Sequence, residues 1–439
     1  MLVAFREHPT LCILMSENMS EYGGIQKFAF DLSNFATAKG FKIALISSKD
    51  AGSLVSTRFL DATCSLERRN LANDKTETKL LNTPFKSLLL FVSTAFALIR
   101  VCKNRKVSVI HAQDAFFSGF AGVVARKLFK IPLIIHVHGP SPYFVEFDSE
   151  ATQLQKCVMR ALAKVVLREA TLILPTDIHT KSLLLPFSHK VTYLCMPTPI
   201  ITKVYADKSK KGFVSKVIGD TLVLGFIGRL CKQKNLRVLL NAFASVPMHS
   251  RMKLSLIIVG DGPERNFLEH EAMRVGIRDN VLFTGNVSED KKLELLELFD
   301  VFILPSIYEG CPISLLEAMA SGKAIIASNI PSIKQIVRQN QEAILVDPYN
   351  VEELRDAIMR FSNNPQLISE IGRCSFQRAK LYDVSRIFTR LMTIYETVNK
   401  VHQRDSLDNS TNDYCLLLQS LSLIADTEKS QEHGQIHVY

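Results

Sequence analysis

The chain has 439 residues, 47% hydrophobic and 22% charged, a balance that excludes disorder throughout and suggests two or three domains. Its nine cysteines include no C-x-x-C pair, which excludes a disulfide scaffold and a zinc ribbon and fits a reduced, cytoplasmic compartment. The formal charge of +10 is uneven: residues 1–217 carry 29 Lys and Arg against 16 Asp and Glu, residues 218–400 carry 22 against 21, and residues 401–439 carry 2 against 6. A basic first half attracts something anionic: a membrane surface, a phosphorylated substrate or nucleic acid.

In chain order, the opening MLVAFREHPTLCILMS does not read as a secretory signal, because Arg6, Glu7 and His8 interrupt its apolar stretch. Leu11–Met15 reads as a strand, Ile25–Lys39 as a helix ending at Gly40, and Phe41–Ser47 as the next strand. Ser87–Ile99 is the most apolar stretch, but it is too short to span a bilayer, which needs about 18–20 residues. It reads as a buried helix, with a membrane-dipping helix anchored by Arg100, Lys103, Arg105 and Lys106 as the alternative. Strands at Val107–His111, Leu133–His138 and Leu172–Pro175 alternate with helices such as Phe117–Phe129 and Glu150–Glu169. Residues 206–220, polar and basic, read as a linker.

A second alternating run follows. Its strands are Thr221–Ile227, Leu254–Val259, Val281–Thr284, Val301–Leu304, Ala324–Ala327 and Ala343–Val346. Its helices are Leu236–Ala244, Pro263–Val275, Glu289–Leu298, Ile313–Ala320 and Val351–Ser362. A long helical pattern from Pro365 to Val401 closes this half, its end (381–401) free to pack back on the first, and a polar acidic tail occupies 402–439. Alternation of this kind predicts an α/β protein of two doubly wound, parallel-sheet domains, 1–205 and 221–380. Ligands of such sheets bind beyond the carboxyl ends of the strands, so the cleft between the two halves is the expected site.

The residues with chemistry fall on that edge. Gly23-Gly24 opens the first helix, where a tight turn and free N–H groups suit an anion. Gly228-Arg229 ends one strand and Lys234-Asn235 precedes a helix, so two cations suit a departing diphosphate. The loop Val259-Gly260-Asp261-Gly262-Pro263 is another strand-to-helix turn. Glu309 lies in a loop and Glu317 in the early turns of the helix after Pro312, with loop N–H groups between the two carboxylates. A carboxylate accepts two sugar hydroxyls well. His136 and His138 share one strand face with no third ligand evident, so a metal is not expected, and His138 is the better placed for the cleft.

Together these motifs resemble the retaining GT-B glycosyltransferases of glycosyltransferase family 4, over residues 11–400. The strongest is the E-x-seven-E pair, Glu309 to Glu317, with its LLEAMA helix. Gly228, Arg229 and Lys234, the VGDGP loop and the N-terminal Gly-Gly occur in the family's order. The resemblance implies a GT-B fold, two Rossmann-like domains facing across a cleft, with acceptor on the first and donor on the second. It implies a nucleotide-diphospho-sugar donor, UDP- ahead of GDP-, and no metal or cofactor. Arg229 and Lys234 would hold the diphosphate, Glu317 the ribose and Gly285-Asn286 the base. Glu309 and the backbone of Gly310, Cys311, Pro312, Ile313 and Ser314 would meet the sugar with His138, and Gly24 would let the first domain close on the phosphates. Lys234-Asn235 departs from the family's Lys-Gly, which alters the loop's backbone freedom.

The expected function is glycosyl transfer to a lipid-linked or polysaccharide acceptor in envelope glycan synthesis, by a cytoplasmic protein peripheral on an anionic membrane face. Alternatives are a sugar-nucleotide epimerase on the same fold, or a non-catalytic sugar-nucleotide-binding subunit. Nucleic acid is excluded as a partner, because the basic residues lack interleaved aromatic platforms.

Overall fold

The computed structural model describes residues 9–18, 24–48, 55–60, 84–139, 152–188, 191–209 and 221–405. The chain builds two open sheets. The first contains β1 (Thr10–Asn18), β2 (Lys42–Ser48), β3 (Val55–Leu60), β4 (Val109–Ala112), β5 (Leu133–Val137), β6 (Leu172–Pro175) and β7 (Thr192–Tyr193), in the order β3-β2-β1-β4-β5-β6-β7. All neighbours are parallel except β3, which pairs antiparallel with β2 at the edge. The second contains β8 (Leu222–Ile227), β9 (Leu254–Val259), β10 (Val281–Gly285), β11 (Val301–Leu304), β12 (Ala324–Ser328) and β13 (Ile344–Val346), in the order β10-β9-β8-β11-β12-β13, all parallel. This is the GT-B architecture expected. Every residue of β4, β5, β6, β11 and β12 is buried, which is why these strands read as unbroken apolar runs.

On one face of the first sheet, the helices Pro84–Asn104, Phe117–Phe129 and Gln153–Glu169 lie side by side. The helix Gly24–Ala38 covers the other face, together with Val384–Asp405, the last described helix. From that last helix Phe388, Leu391, Ile394 and Tyr395 bury themselves against Leu11, Ile13, Phe28 and Leu172. A helix that follows the second sheet therefore completes the core of the first, and the halves share covalent and packing ties.

Several boundaries differ from expectation. The Pro365–Val401 pattern is two helices, Pro365–Ala379 and Val384–Asp405, parted by a short 3₁₀ turn at Lys380–Tyr382. The break redirects the chain from the second core to the first, a tertiary demand that periodicity does not record. The connection starts before residue 206: Ile200 and Tyr205 pack in the second core, and residues 206–209 of the expected linker belong to the helix Thr202–Ser209. Helix also continues into the expected tail, as far as Asp405. The loop Glu21–Gly23, the rest of the linker and residues 406–439 lie outside the described residues.

Candidate active site

The loops after β8, β9 and β10 are stitched together by backbone hydrogen bonds. Gly228 N donates to Val259 O at 3.0 Å, Leu230 N to Asp261 O at 2.9 Å and Gly260 N to Gly285 O at 3.1 Å. Gly260 has φ +132°, and a Cβ there would sit 2.0 Å from Gly228 O, so only glycine lets these turns close. The loops and the helix Glu289–Leu298 border an open cavity of about 610 Å³ at the carboxyl edge of the sheet. Gly228, Arg229, Gly260, Asn286, Val287 and Lys292 line it.

Beside it, Lys234 and Glu309 form an ion pair, Nζ to Oε1 at 2.5 Å, with both side chains largely removed from solvent. Ser306 Oγ donates to the same carboxylate oxygen at 2.6 Å. The loop is held from below by Ile307 N to Gln233 O at 2.9 Å and Gln233 Nε2 to Tyr308 O at 2.8 Å. Asn235, which stands where the resemblance implies glycine, adopts φ 54°, ψ 36°. Asparagine is the side chain that best tolerates this left-handed conformation, and its Nδ2 donates to Pro348 O at 2.6 Å. The substitution keeps the turn and adds a tie to the loop after β13.

Glu317, 3% exposed, sits in the helix Ile313–Ala320. Its Oε1 accepts from the Tyr205 hydroxyl at 2.8 Å and from Lys292 Nζ at 2.9 Å. Lys292 also pairs with Glu289 at 2.9 Å. Burial alone would lower the Lys292 pKa, but the two carboxylates outweigh it and raise it. Burial and Glu317 push the Tyr205 phenol up, so it stays a hydroxyl donor.

The first sheet presents His138 at the end of β5. His138 Nε2 donates to Gln113 Oε1 at 2.7 Å; Gln113 Nε2 lies 3.3 Å from His111 Nδ1, and the Tyr395 hydroxyl lies 2.7 Å from that same nitrogen. The rings of His111, His136 and His138 stack, with centroids 5.5 Å and 4.0 Å apart in turn, and Phe28 stands edge-on to His136 and His138. Burial lowers the pKa of His111 and of His138 to about 3, and that of His136 well below its ordinary value. The stack is a neutral, packed core feature that ends at the cleft. Gly139, next to His138, brings the halves together: a Cβ there would lie 3.6 Å from Gly310 Cα.

Residues 22–189 match the family described as Glycosyltransferase Family 4, and residues 207–377 match Glycosyl transferases group 1. The chain belongs to glycosyltransferase family 4. It is 27% identical over 271 residues to the alpha-monoglucosyldiacylglycerol synthase of Streptococcus pneumoniae, 60% of either chain. It is 22% identical over 318 residues to an Escherichia coli UDP-Gal:alpha-D-GlcNAc-diphosphoundecaprenol alpha-1,3-galactosyltransferase, 70% of this chain and 80% of that one. Its fold is that of sucrose-phosphate synthase from Thermosynechococcus elongatus, with TM-score 0.70 and 20% identity over 89% of this chain and 99% of that one.

In this family 4 chain, the expected residues divide. Arg229 and Asn286 line the cavity; Gly285, with φ +71°, forms its turn. Glu309, Lys234 and Gly310 come together beside His138 and Gly139. Pro312 caps the helix that starts at Ile313, Ser314 follows in its first turn, and Cys311 Sγ reaches Thr198 O of the first half at 4.0 Å. Gly24 begins the first helix, and the turn before it is outside the described residues. Glu317 does not line the cavity; Lys292 does. Lys292, Val287, Tyr205 and Gln113 were not singled out from sequence, because each is an ordinary residue in an ordinary helix or strand end until folding supplies its partner.

Proposed function

We propose that this protein transfers a sugar from a nucleotide-diphospho-sugar, UDP- ahead of GDP-, to a hydroxyl of a lipid-linked or polysaccharide acceptor, with retention of anomeric configuration. The observation that carries this reading is the cavity between Gly228-Arg229 and Lys292, with the Lys234–Glu309 pair beside Gly228. Arg229 neutralises the diphosphate as it leaves. Lys234 has three N–H donors, one of which engages Glu309, and shares the rest with the phosphates. Glu317 receives the ribose and Asn286 borders the base. Glu309, His138 and the N–H groups of Gly310, Cys311, Ile313 and Ser314 surround the sugar. The acceptor attacks from the face the diphosphate leaves, and the leaving oxygen takes its proton. Positioning and charge stabilisation do the work, with no metal or cofactor.

The names of the relatives support the acceptor class: one carries a glucosyldiacylglycerol, the other a UDP-galactose donor and a diphosphoundecaprenol acceptor. The outer surface of the first half supports a membrane partner. On its three side-by-side helices, Val92, Phe96, Leu128, Leu154, Val158 and Val165 are exposed, Phe96 by 71% and Leu154 by 74%. The same helices carry Arg100, Lys103, Lys127, Arg160, Lys164 and Arg168, and the one acid within them, Glu169, is paired with Lys127 at 2.9 Å. Exposed apolar side chains on helices that also carry this excess of cations fit an anionic bilayer surface. No described helix is long and apolar enough to cross a membrane.

A panel of nucleotide sugars, read by thermal shift and by release of nucleoside diphosphate, tests the donor reading with wild type beside Glu317→Ala. One donor stabilising wild type and not the variant is expected; no shift with any donor removes the reading. Sedimentation with phosphatidylglycerol liposomes at low and high salt, beside phosphatidylcholine, tests the membrane face. Binding indifferent to both salt and lipid charge would sink it.

A further inference from the structure

Glu317 is already half engaged before any ligand arrives. Both of its hydrogen bonds fall on Oε1, one from Tyr205 and one from Lys292, and Oε2 takes none from any described residue. Tyr205 is 6% exposed and belongs to neither strand–helix repeat. It stands on Thr202–Ser209, the helix of the connection between the sheets. That helix is pinned at its start, where Thr202 N and Oγ1 both donate to Asp383 Oδ2, at 3.2 Å and 2.5 Å, and Ile200 bridges to Asp383 just before the last helix. Its hydroxyl therefore approaches Glu317 from a segment held independently of the helix that carries the carboxylate.

A glutamate has three side-chain torsions, and ordering such a side chain costs about 1–2 kcal/mol. A carboxylate with one oxygen bonded to a fixed donor has met that cost before the ligand binds. We propose that Tyr205 is a positioning residue for the donor. It holds Glu317 by Oε1, so that the carboxylate meets the ribose hydroxyls with its orientation set. Lys292, on the cavity wall, is the second hold. The inference rests on the ribose role of Glu317 proposed above. It goes beyond that role in assigning donor affinity to a residue of the interdomain connection.

The test is calorimetric binding of UDP and GDP, each beside its 2′,3′-dideoxy form, to the full chain and to Tyr205→Phe. Wild type should prefer the ribonucleotide. Tyr205→Phe should weaken that ribonucleotide about tenfold, the size of a lost hydrogen bond to a charged group, and change the dideoxy form less than about twofold. With the donor that the panel identifies, KM should rise while kcat at saturation stays within about twofold. If wild type binds ribo and dideoxy forms equally, the ribose role of Glu317 fails and the proposal goes with it. If wild type discriminates but Tyr205→Phe weakens both forms alike, Tyr205 is a structural tie and the proposal alone is overturned. Lys292 still pairs Glu317 in this variant, and melting checks that the fold is kept. Should it unfold, Lys292→Gln probes the same carboxylate from the other side. The same selective loss supports the proposal, and an equal loss overturns it.

Discussion

The two halves are built on the same parallel strand–helix plan, yet they handle polarity in opposite ways. In the second half, buried charge is paired internally: Glu309 with Lys234, Glu317 with Lys292, Glu342 with Arg338 and Glu271 with Arg274. At the cleft the first half presents neutral groups, the stacked imidazoles with Gln113 and Tyr395, and its buried Asp177 is held by His179 N, Thr180 N and Thr180 Oγ1 rather than by a cation. Much of the excess charge of that half sits on its outer helices, which also carry exposed apolar side chains. A half that must bind a diphosphate needs cations inside, held by carboxylates so that they are not stranded. A half that meets an acceptor at a surface can leave most of its cations outside and face the cleft with neutral groups.

That contrast can be broken experimentally. The largest effect is expected from Arg229→Ala, with turnover down about 10²–10³-fold and the melting temperature unchanged, since its role is to meet charge that grows in the transition state. Wild-type turnover from this variant would remove the diphosphate assignment. Lys234→Ala should cost both activity and about 3 kcal/mol in urea unfolding, because it strands the buried Glu309 carboxylate.

Acid should act on the first half. His111 and His138 titrate near 3 in the folded chain and near 6.5 in the unfolded one, so between those values the unfolded chain binds more protons. Stability is full above about pH 6.5 and is lost as the pH falls toward 3, by about 2 kcal/mol for each of the two by pH 5. Urea unfolding at pH 7, 6 and 5 reads this, and a flat profile would mean the imidazoles are hydrated. Asn235→Ala should cost about 1–2 kcal/mol through the left-handed backbone, whereas Asn235→Gly should recover most of it. The smallest effect on folding belongs to Leu154→Gln, within about 0.5 kcal/mol of wild type. Reduced sedimentation with anionic liposomes in that variant would sharpen the contrast, and unchanged sedimentation would move the membrane face elsewhere.

Much of the fold was legible because parallel strands buried on both faces leave continuous apolar runs. β6, β9 and β11 coincide with the residues read from sequence, as do the helices Leu236–Ala244, Ile313–Ala320 and Val351–Ser362. The edge strands β3 and β7 were missed, since one is half polar and the other has two residues. Arg229, Lys234 and Glu309 were readable because local turns deliver each to the strand edge, and Glu317 because it lies in the helix that follows. Their partners were not, because Tyr205 lies 112 residues from Glu317 and Tyr395 lies 284 from His111. Nothing local marks such a pairing.

The sequence by itself determined the α/β alternation, the basic bias of the first half and the residues that reach the carboxyl edge, all of which follow from spacing and composition. Only the tertiary structure decided that the last helix crosses back to the first core and that Leu154, Val158 and Val165 of Gln153–Glu169 face outward while Val166 and Leu167 are buried. It also decided that Lys292 rather than Glu317 lines the cavity. Those are questions of which face a helix buries and which distant side chain meets it, and both are settled by packing between elements, which no local pattern encodes.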